Sequence, residues 1–316
     1  MNVKRVCLIG GSGFIGRHLA ARLGAAGLSV TLPTRRRERC KESLIVLPGV
    51  EVVECDVHDP ACLDALIAGH DAVVSMVGIL HGSRAAFERS HVELVDAIVA
   101  ACTRHGVRRL LHVSALGADE NGPSLYLQSK GRGEARVRGS GLDWTLFRPS
   151  VVFGCDDSLT TLFAALNRRL PLLPLAGAGT RLQPVWVEDV ARVLAAALSR
   201  DDTIGACYDL AGPDILTLGE LVRLVGRIEG RQVPVLPLPH ALAWWQAAVL
   251  EHLPGPTLMS RDNLRSLSRD AVSECGFPVA DFGFEPAALC AILPGYLGQR
   301  ELNARRAAYR QRAARE

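Results

Sequence analysis

The stretch Gly10-Gly11-Ser12-Gly13-Phe14-Ile15-Gly16 constrains this chain more than any other, because it follows the largely apolar start Val3-Lys4-Arg5-Val6-Cys7-Leu8-Ile9 directly. A buried strand, glycines at 10, 13 and 16, and an amphipathic run from His18 to Leu23 describe one strand–turn–helix unit. Gly10 permits the tight turn out of the strand. Gly13 lets the backbone approach a pyrophosphate with no Cβ in the way, and Gly16 lets the helix pack close to the strand. Phosphates at such a helix N-terminus meet free N–H groups and the positive end of the helix dipole. Gly10, Ser12, Gly13, Phe14, Ile15 and Gly16 are therefore candidate contacts for a dinucleotide.

The rest of the chain supplies the parts this unit needs, in order. Apolar strand-like segments fall at residues 3–10, 28–34, 50–55, 71–77, 109–113 and 143–147, with helical patterns between them, the clearest over 83–105. Short strands that are apolar throughout and alternate with helices call for a parallel sheet covered on both faces. Gly24, Gly27, Gly69, Gly106 and Gly141 fall where helices must stop before the next strand. The pattern predicts an α/β fold, a doubly wound Rossmann sheet over residues 1–154. After Gly154 the rhythm changes. Residues 183–187 and 207–211 read as further strands around a helix at 188–199, with segments from 183–212 expected to add to the sheet. From Thr217 the chain is mostly helical and broken by prolines, so residues 155–316 predict a smaller substrate-side part.

Composition excludes several function classes. At 316 residues, 48% hydrophobic and 22% charged, the chain buries a full core. Its net charge of +3 argues against a nucleic-acid partner. Nine cysteines, an odd count without a Cys-x-x-Cys pair, predict reduced thiols rather than a disulfide framework or a metal site. The first strand begins too early for a signal peptide, and no apolar run reaches the roughly 18 residues of a membrane span. A cytoplasmic protein is expected. The basic stretch 300–316, with six Arg against two Glu, reads as a solvated helix or as a surface for an anionic membrane or partner.

The nucleotide is read from the strand ends. In NAD-binding units an acidic residue about 20 positions beyond the glycines accepts from the ribose hydroxyls. Here the second strand ends in Pro33-Thr34-Arg35-Arg36-Arg37, and a guanidinium fork matches a 2′-phosphate instead. Arg35 and Arg36 thus favour NADP(H) over NAD(H), an exposed basic loop being the alternative. Asp56, after the third strand, is placed either to accept from the adenine amino group, with Val57 against the ring, or to cap the following helix. Val77 and Gly78 end the fourth strand, where a glycine permits close approach to the adenine ribose.

The chemistry is read from Tyr126-Leu127-Gln128-Ser129-Lys130. Positions i and i+4 share a helix face, so phenol and ammonium point into one cleft, and a nearby cation is expected to lower the phenol's pKa toward neutrality. With four tyrosines and only three lysines among 36 basic residues, this pairing arises by chance roughly 4% of the time. Gly131 and Gly133 follow in the same helix and imply close backbone packing, since each costs about 1 kcal/mol relative to alanine. Ser114 ends the preceding strand, where its hydroxyl either polarises a substrate carbonyl or satisfies the strand end. In Arg148-Pro149-Ser150-Val151, Pro149 and Val151 fall beside the nicotinamide, and Arg148 has a structural reading.

Together the glycine motif, Asp56, Ser114, Tyr126/Lys130 and Arg148-Pro149 resemble an extended or atypical short-chain dehydrogenase/reductase, of the NAD-dependent epimerase/dehydratase kind. More closely, His112-Val113-Ser114-Ala115-Leu116-Gly117-Ala118-Asp119, Gln183-Pro184-Val185-Trp186-Val187-Glu188-Asp189-Val190 and Ser260-Arg261-Asp262-Asn263 resemble bacterial relatives of the NADPH-binding accessory subunit of respiratory complex I. The resemblance implies a Rossmann fold holding a nicotinamide nucleotide, not turnover. The chain departs from the sugar-nucleotide epimerases: Ala115 follows Ser114, and only 12 residues separate Ser114 from Tyr126. His91 falls where relatives place a polar residue behind the active site, and reads as a satisfied interior histidine rather than a proton relay.

Three functions follow as expectations. The first is an NADP(H)-dependent oxidoreductase acting on a small carbonyl or alcohol, in which Tyr126 exchanges the proton, Lys130 holds the ribose and Ser114 is a third hydrogen-bond donor. The second is a non-catalytic NADP(H)-holding protein supporting a respiratory NADH:quinone oxidoreductase or its assembly, in peripheral contact with the inner face of the membrane. The third is a redox-sensing regulator. Trp244 and Trp245, on a helix expected over 241–253, suit a membrane or partner contact as well as internal packing.

Overall fold

The computed structural model describes residues 3–40, 44, 46–252 and 257–297. Strands and helices alternate from the start: β1 (Arg5–Ile9), α1 (Phe14–Ala25), β2 (Ser29–Thr34), β3 (Val50–Glu54), α2 (Pro60–Ile67), β4 (Ala72–Ser75), α3 (Arg84–Glu88), α4 (Leu94–His105), β5 (Arg109–Val113), α5 (Leu125–Arg138) and β6 (Asp143–Pro149). Beyond them lie β7 (Val152–Phe153), α6 (Ser158–Arg169), β8 (Leu173–Leu175), β9 (Arg181–Leu182), β10 (Val185–Trp186), α7 (Val187–Ala197) and β11 (Cys207–Leu210). The chain continues through β12 (Leu216–Thr217), α8 (Leu218–Ile228), β13 (Val235–Pro237), α9 (His240–Glu251), α10 (Arg261–Ser266), α11 (Val279–Phe282) and α12 (Leu289–Tyr296).

Seven strands form one sheet in the order β11-β6-β5-β4-β1-β2-β3, every pair parallel. Alternation along each strand decides which core a side chain joins. Val6 and Leu8 of β1 pack with Leu19 and Leu23 of α1 and Val190 and Leu194 of α7. Cys7 and Ile9 face the other way, onto Leu63 and Ile67 of α2 and Ile98 and Cys102 of α4. Each such aliphatic side chain, removed from water, contributes about 1.5–3 kcal/mol, which is why both layers hold without polar pairing across the sheet. The strand order reverses between β1 and β4, and ligands of open α/β sheets bind in the crevice at such a switch point. The C-terminal part has a third core of its own, built on Phe163, Leu182, Leu221, Val222, Val225 and Leu293.

Polar groups join the halves. Arg109, at the start of β5, is 1% exposed. Its guanidinium donates to the carbonyls of Ala197 (2.6 Å), Asp143 (2.8 Å) and Leu198 (3.4 Å) and to Thr203 Oγ1 (2.7 Å). The Ala197 and Leu198 carbonyls end α7, whose last C=O groups have no intrahelical partners.

Three local expectations are corrected. The helix expected over 83–105 is two helices joined by a π-helical turn, Arg89–Glu93, whose extra residue aims His91 inward. Of the strand expected over 183–187, only β10 forms. It pairs with β7 outside the main sheet, and Pro184, just before it, has no N–H to give a ladder. The thiols are not all free: Cys55 and Cys62, with Cα atoms 6.0 Å apart, are disulfide-bonded, because β3 turns directly into α2. The basic stretch 300–316 lies outside the described residues.

Candidate active site

The sequence-selected residues collect at one edge of the sheet, the carboxyl ends of its strands. Gly10 follows β1, Arg35 and Arg36 follow β2, Asp56 and Val57 follow β3, Val77 and Gly78 follow β4, Ser114 follows β5, and Pro149 ends β6 with Val151 just beyond. Gly10 has φ +89°, the left-handed region, and a Cβ there would lie 2.9 Å from the backbone of Met76 and Val77. A Cβ on Gly16 would lie 2.4 Å from Gly11 Cα, so α1 starts directly against the turn. Gly13 is the N-cap of α1. It offers no side chain to the helix, and the first turn holds no acidic residue. The N-terminal N–H groups of Phe14, Ile15 and Gly16 therefore meet no carboxylate from their own first turn, beside exposed Ser12. That is a cradle for an anion, and a nicotinamide dinucleotide fits it. Phe14 reaches across the edge, its ring 3.4 Å from where a Gly154 Cβ would stand.

At the tip of β2, Arg35 and Arg36 are exposed. Asp56 is exposed and accepts from the His58 N–H at 3.1 Å, while α2 is capped by Asp59, which accepts from Ala61. The capping alternative for Asp56 is thereby replaced by a local turn. Burial, then the charges of Arg89 and Arg35, lower the His58 pKa, so two guanidiniums stand close to this corner. Val57 is half-buried against the α2–α4 core.

At the other end, α5 carries Tyr126 and Lys130. Lys130 is 3% exposed and donates to the Val113 carbonyl at 2.8 Å. Burial lowers its pKa to about 8, with Glu134 opposing. A Cβ on Gly78 would lie 4.0 Å from Lys130 Nζ and 3.9 Å from His91 Nε2, so the β4 tip faces both. The Tyr126 ring meets His91 edge-on, with centroids 5.7 Å apart and planes at 79°, and Phe87 at 6.3 Å. The expectation that Lys130 lowers the phenol's pKa is corrected. Burial pushes Tyr126 up to about 12, since its neighbours are rings and the ammonium is committed to Val113.

His91 is fixed as a neutral imidazole. Its Nε2 accepts the Ile79 N–H at 3.1 Å, so the proton sits on Nδ1, which donates to Ser129 Oγ at 2.8 Å. Ser129 Oγ in turn donates to the Tyr126 carbonyl at 2.8 Å. Burial, helped by Lys130, lowers the His91 pKa to about 3, in keeping with the satisfied-interior reading. Gly133 lets the His91 carbonyl approach within 2.3 Å of where its Cβ would be. Close packing therefore explains that helical glycine.

Ser114 Oγ and both nitrogens of His112 are buried without a partner among the described residues. They are two residues apart at the end of β5, and burial, then the Lys130 charge, lower the His112 pKa. Arg148 is structural: its guanidinium grips Glu134 of α5 bidentately at 2.8 and 2.5 Å, which raises the Arg148 pKa and docks α5 on β6. Pro149 is buried, and its carbonyl accepts from the Leu116 N–H at 2.9 Å.

Sequence reasoning missed Asp262 as part of this architecture. Its carboxylate accepts from the Leu125 and Tyr126 N–H groups at 2.8 and 3.0 Å. The motif Ser260-Arg261-Asp262-Asn263 is visible in the sequence, but nothing local tells which helix it reaches across 136 positions.

Residues 10–201 match the family described as NAD(P)H-binding. The chain is 28% identical over 295 residues to the mitochondrial NADH dehydrogenase [ubiquinone] 1 alpha subcomplex subunit 9 of Arabidopsis thaliana, covering 88% of this chain and 73% of that one. It is 30% identical over 242 residues to a ceramide reductase of Caulobacter vibrioides, covering 74% and 73%. Its fold matches a nucleoside-diphosphate-sugar epimerase of Staphylococcus aureus with a TM-score of 0.73 at 20% identity, over 92% of this chain and 99% of that one.

Proposed function

Because this chain belongs to the NAD(P)H-binding family, within the extended short-chain dehydrogenase/reductase and epimerase group that has complex I subunits among its relatives, we propose that it is an NADP(H)-dependent oxidoreductase acting on a small carbonyl or alcohol. The observation that carries this reading is the convergence of Lys130 Nζ and His91 Nε2 on Gly78, with Tyr126 against His91 on the same helix face. The uncapped start of α1 and the turn at Gly10, Ser12, Gly13, Phe14, Ile15 and Gly16 hold the pyrophosphate. Arg35 and Arg36 pair with a 2′-phosphate, Asp56 and Val57 take the adenine, and Val77 and Gly78 border its ribose. Pro149 and Val151 flank the nicotinamide. When bound, the nicotinamide supplies the hydride chemistry.

The remaining steps belong to the chain's own groups. Tyr126 donates its phenolic proton to the carbonyl oxygen as that oxygen gains charge, and takes it back in the reverse direction. Lys130, with two donors beyond the one spent on Val113, holds ribose hydroxyls. Ser114 Oγ donates a hydrogen bond to the same carbonyl oxygen. Residues 1–154 carry the nucleotide and residues 155–316 shape the substrate side. Tyr126→Phe is expected to bind NADPH as the parent does and to lose turnover by about 100-fold or more. Unchanged turnover would overturn the reading.

One observation favours a second reading. On α9, Leu242, Trp245 and Val249 share one face and are 56%, 67% and 57% exposed. Such a face suits a nucleotide-holding protein that docks on a respiratory NADH:quinone oxidoreductase, in peripheral contact with the inner face of the membrane. In that case cells tolerate Tyr126→Phe, whereas Gly13→Val abolishes both nucleotide retention and co-purification with the complex.

A further inference from the structure

α5 begins under a carboxylate that arrives from the far end of the chain. Ser124 already caps this helix locally, accepting from Leu127 at 3.2 Å. Asp262 adds two bonds, one oxygen to the Leu125 N–H and the other to the Tyr126 N–H. Asp262 is 7% exposed, with Arg265 3.9 Å from one of its oxygens, and desolvating the carboxylate costs several kcal/mol unless N–H donors, the helix dipole and that guanidinium compensate. A helix that only needed termination has that in Ser124, as α2 has in Asp59. What Asp262 adds is location: it ties the backbone of Tyr126 to α10.

α10 is itself rigidly set and reaches the opposite wall of the cleft. Ser260 and Asn263 form a reciprocal capping box. Asn263 Nδ2 donates to the Leu80 carbonyl at 3.1 Å, and Ser266 Oγ donates to Ser124 Oγ at 2.8 Å. Leu80 follows Ile79, whose N–H His91 holds. The segment after β4 and the first turn of α5 are thus bridged twice, internally by His91 and Ser129, and externally by Asp262 and Asn263. Arg261 extends the bridge to α9, bonding Glu251 at 2.7 Å and lying 5.2 Å over the Trp244 ring.

We propose that Asp262 is a positioning residue for Tyr126. With Asn263, it sets the width of the cleft between the β4 tip and α5, so that the substrate-side part fixes the phenol. The proposal rests on the reading of Tyr126 as the proton-exchanging group, yet its geometric half is testable without turnover.

The experiment is residue-resolved hydrogen exchange on the full chain, wild type against Asp262→Asn, with Asp59→Ala as a control for simple loss of a cap. Asp262→Asn keeps one acceptor oxygen and so preserves folding. Its expected signature is faster exchange, by about 10-fold for a lost charged hydrogen bond, at Tyr126 and also at Ile79, which Asp262 does not touch. Asp59→Ala leaves both unchanged. Faster exchange at Leu125 and Tyr126 alone, or at neither, overturns the proposal by reducing Asp262 to a cap. If NADPH-linked turnover is measurable, Asp262→Asn lowers kcat with little change in coenzyme KM, and an unchanged kcat likewise overturns it. Failure of the oxidoreductase reading is seen separately, in Tyr126→Phe.

Discussion

His91 Nε2 accepts the Ile79 N–H at 3.1 Å, and this contact, with burial beside Lys130, keeps the imidazole neutral. The consequence for pH has a definite sign. Native His91 resists protonation until about pH 3, whereas the unfolded side chain takes a proton near 6.5. Between those values the unfolded state binds more protons, so stability falls as pH falls. The expected loss from His91 alone between pH 6.5 and 5 is about 2 kcal/mol, and His112, lowered in the same direction, steepens it. Urea midpoints at pH 7 and pH 5 measure this. His91→Asn is expected to flatten the dependence, and parallel curves for variant and parent would refute a neutral imidazole.

Lys130 acts with the same sign in an alkaline window. Its native pKa of about 8 lies below the unfolded 10.5, so below pH 8 its burial costs about 3 kcal/mol. That cost is relieved as pH rises from 8 to 10.5. Lys130→Met is expected to raise stability at pH 7 by about 1–2 kcal/mol, after about 1 kcal/mol is lost at the Val113 carbonyl, while weakening coenzyme binding. A lower thermal midpoint in the variant would contradict this.

Two glycines of the site are expected to fail differently. Gly16→Ala forces a Cβ to 2.4 Å from Gly11 Cα, a backbone clash expected to destabilise the fold by about 2–4 kcal/mol. At Gly78 a Cβ finds ordinary contact distances. Gly78→Val should therefore keep the parent's thermal midpoint and lose NADPH affinity, because its methyl groups enter the space before Lys130 and His91. Paired melting curves and coenzyme titrations separate the two outcomes.

Coenzyme choice is testable at the β2 tip. Arg35→Ser with Arg36→Ser is expected to weaken NADPH binding by about 10-fold or more, since a charge-assisted phosphate bond contributes about 1.5–3 kcal/mol, and to leave NADH affinity unchanged. An equal loss for both coenzymes would assign the arginines to the shared parts of the molecule.

Much of this architecture is legible in the sequence because its signals are local. Apolar runs such as Val6-Cys7-Leu8-Ile9 specify doubly buried strands, Gly106 ends α4 in the left-handed conformation with φ +69°, and Tyr126 and Lys130 share a face by helical spacing alone. What escaped depends on contacts distant in sequence. The π-helical turn at Arg89–Glu93 follows from the approach of Gly133. The raised pKa of Tyr126 follows from its ring neighbours, and the carboxylate at the start of α5 comes from α10. Spacing rules contain no term for any of these.

Arg109 carries a wider consequence. Of its four acceptors only the Asp143 carbonyl lies before residue 154; the chain reaches the other three at Ala197, Leu198 and Thr203, and β6 is flanked on its outer side only when β11 arrives. A fragment cut at residue 154 would leave that cation with one of its four acceptors and a strand margin open to aggregation. The nucleotide-binding half is completed by its own successor, so the two are inherited, and lost, together.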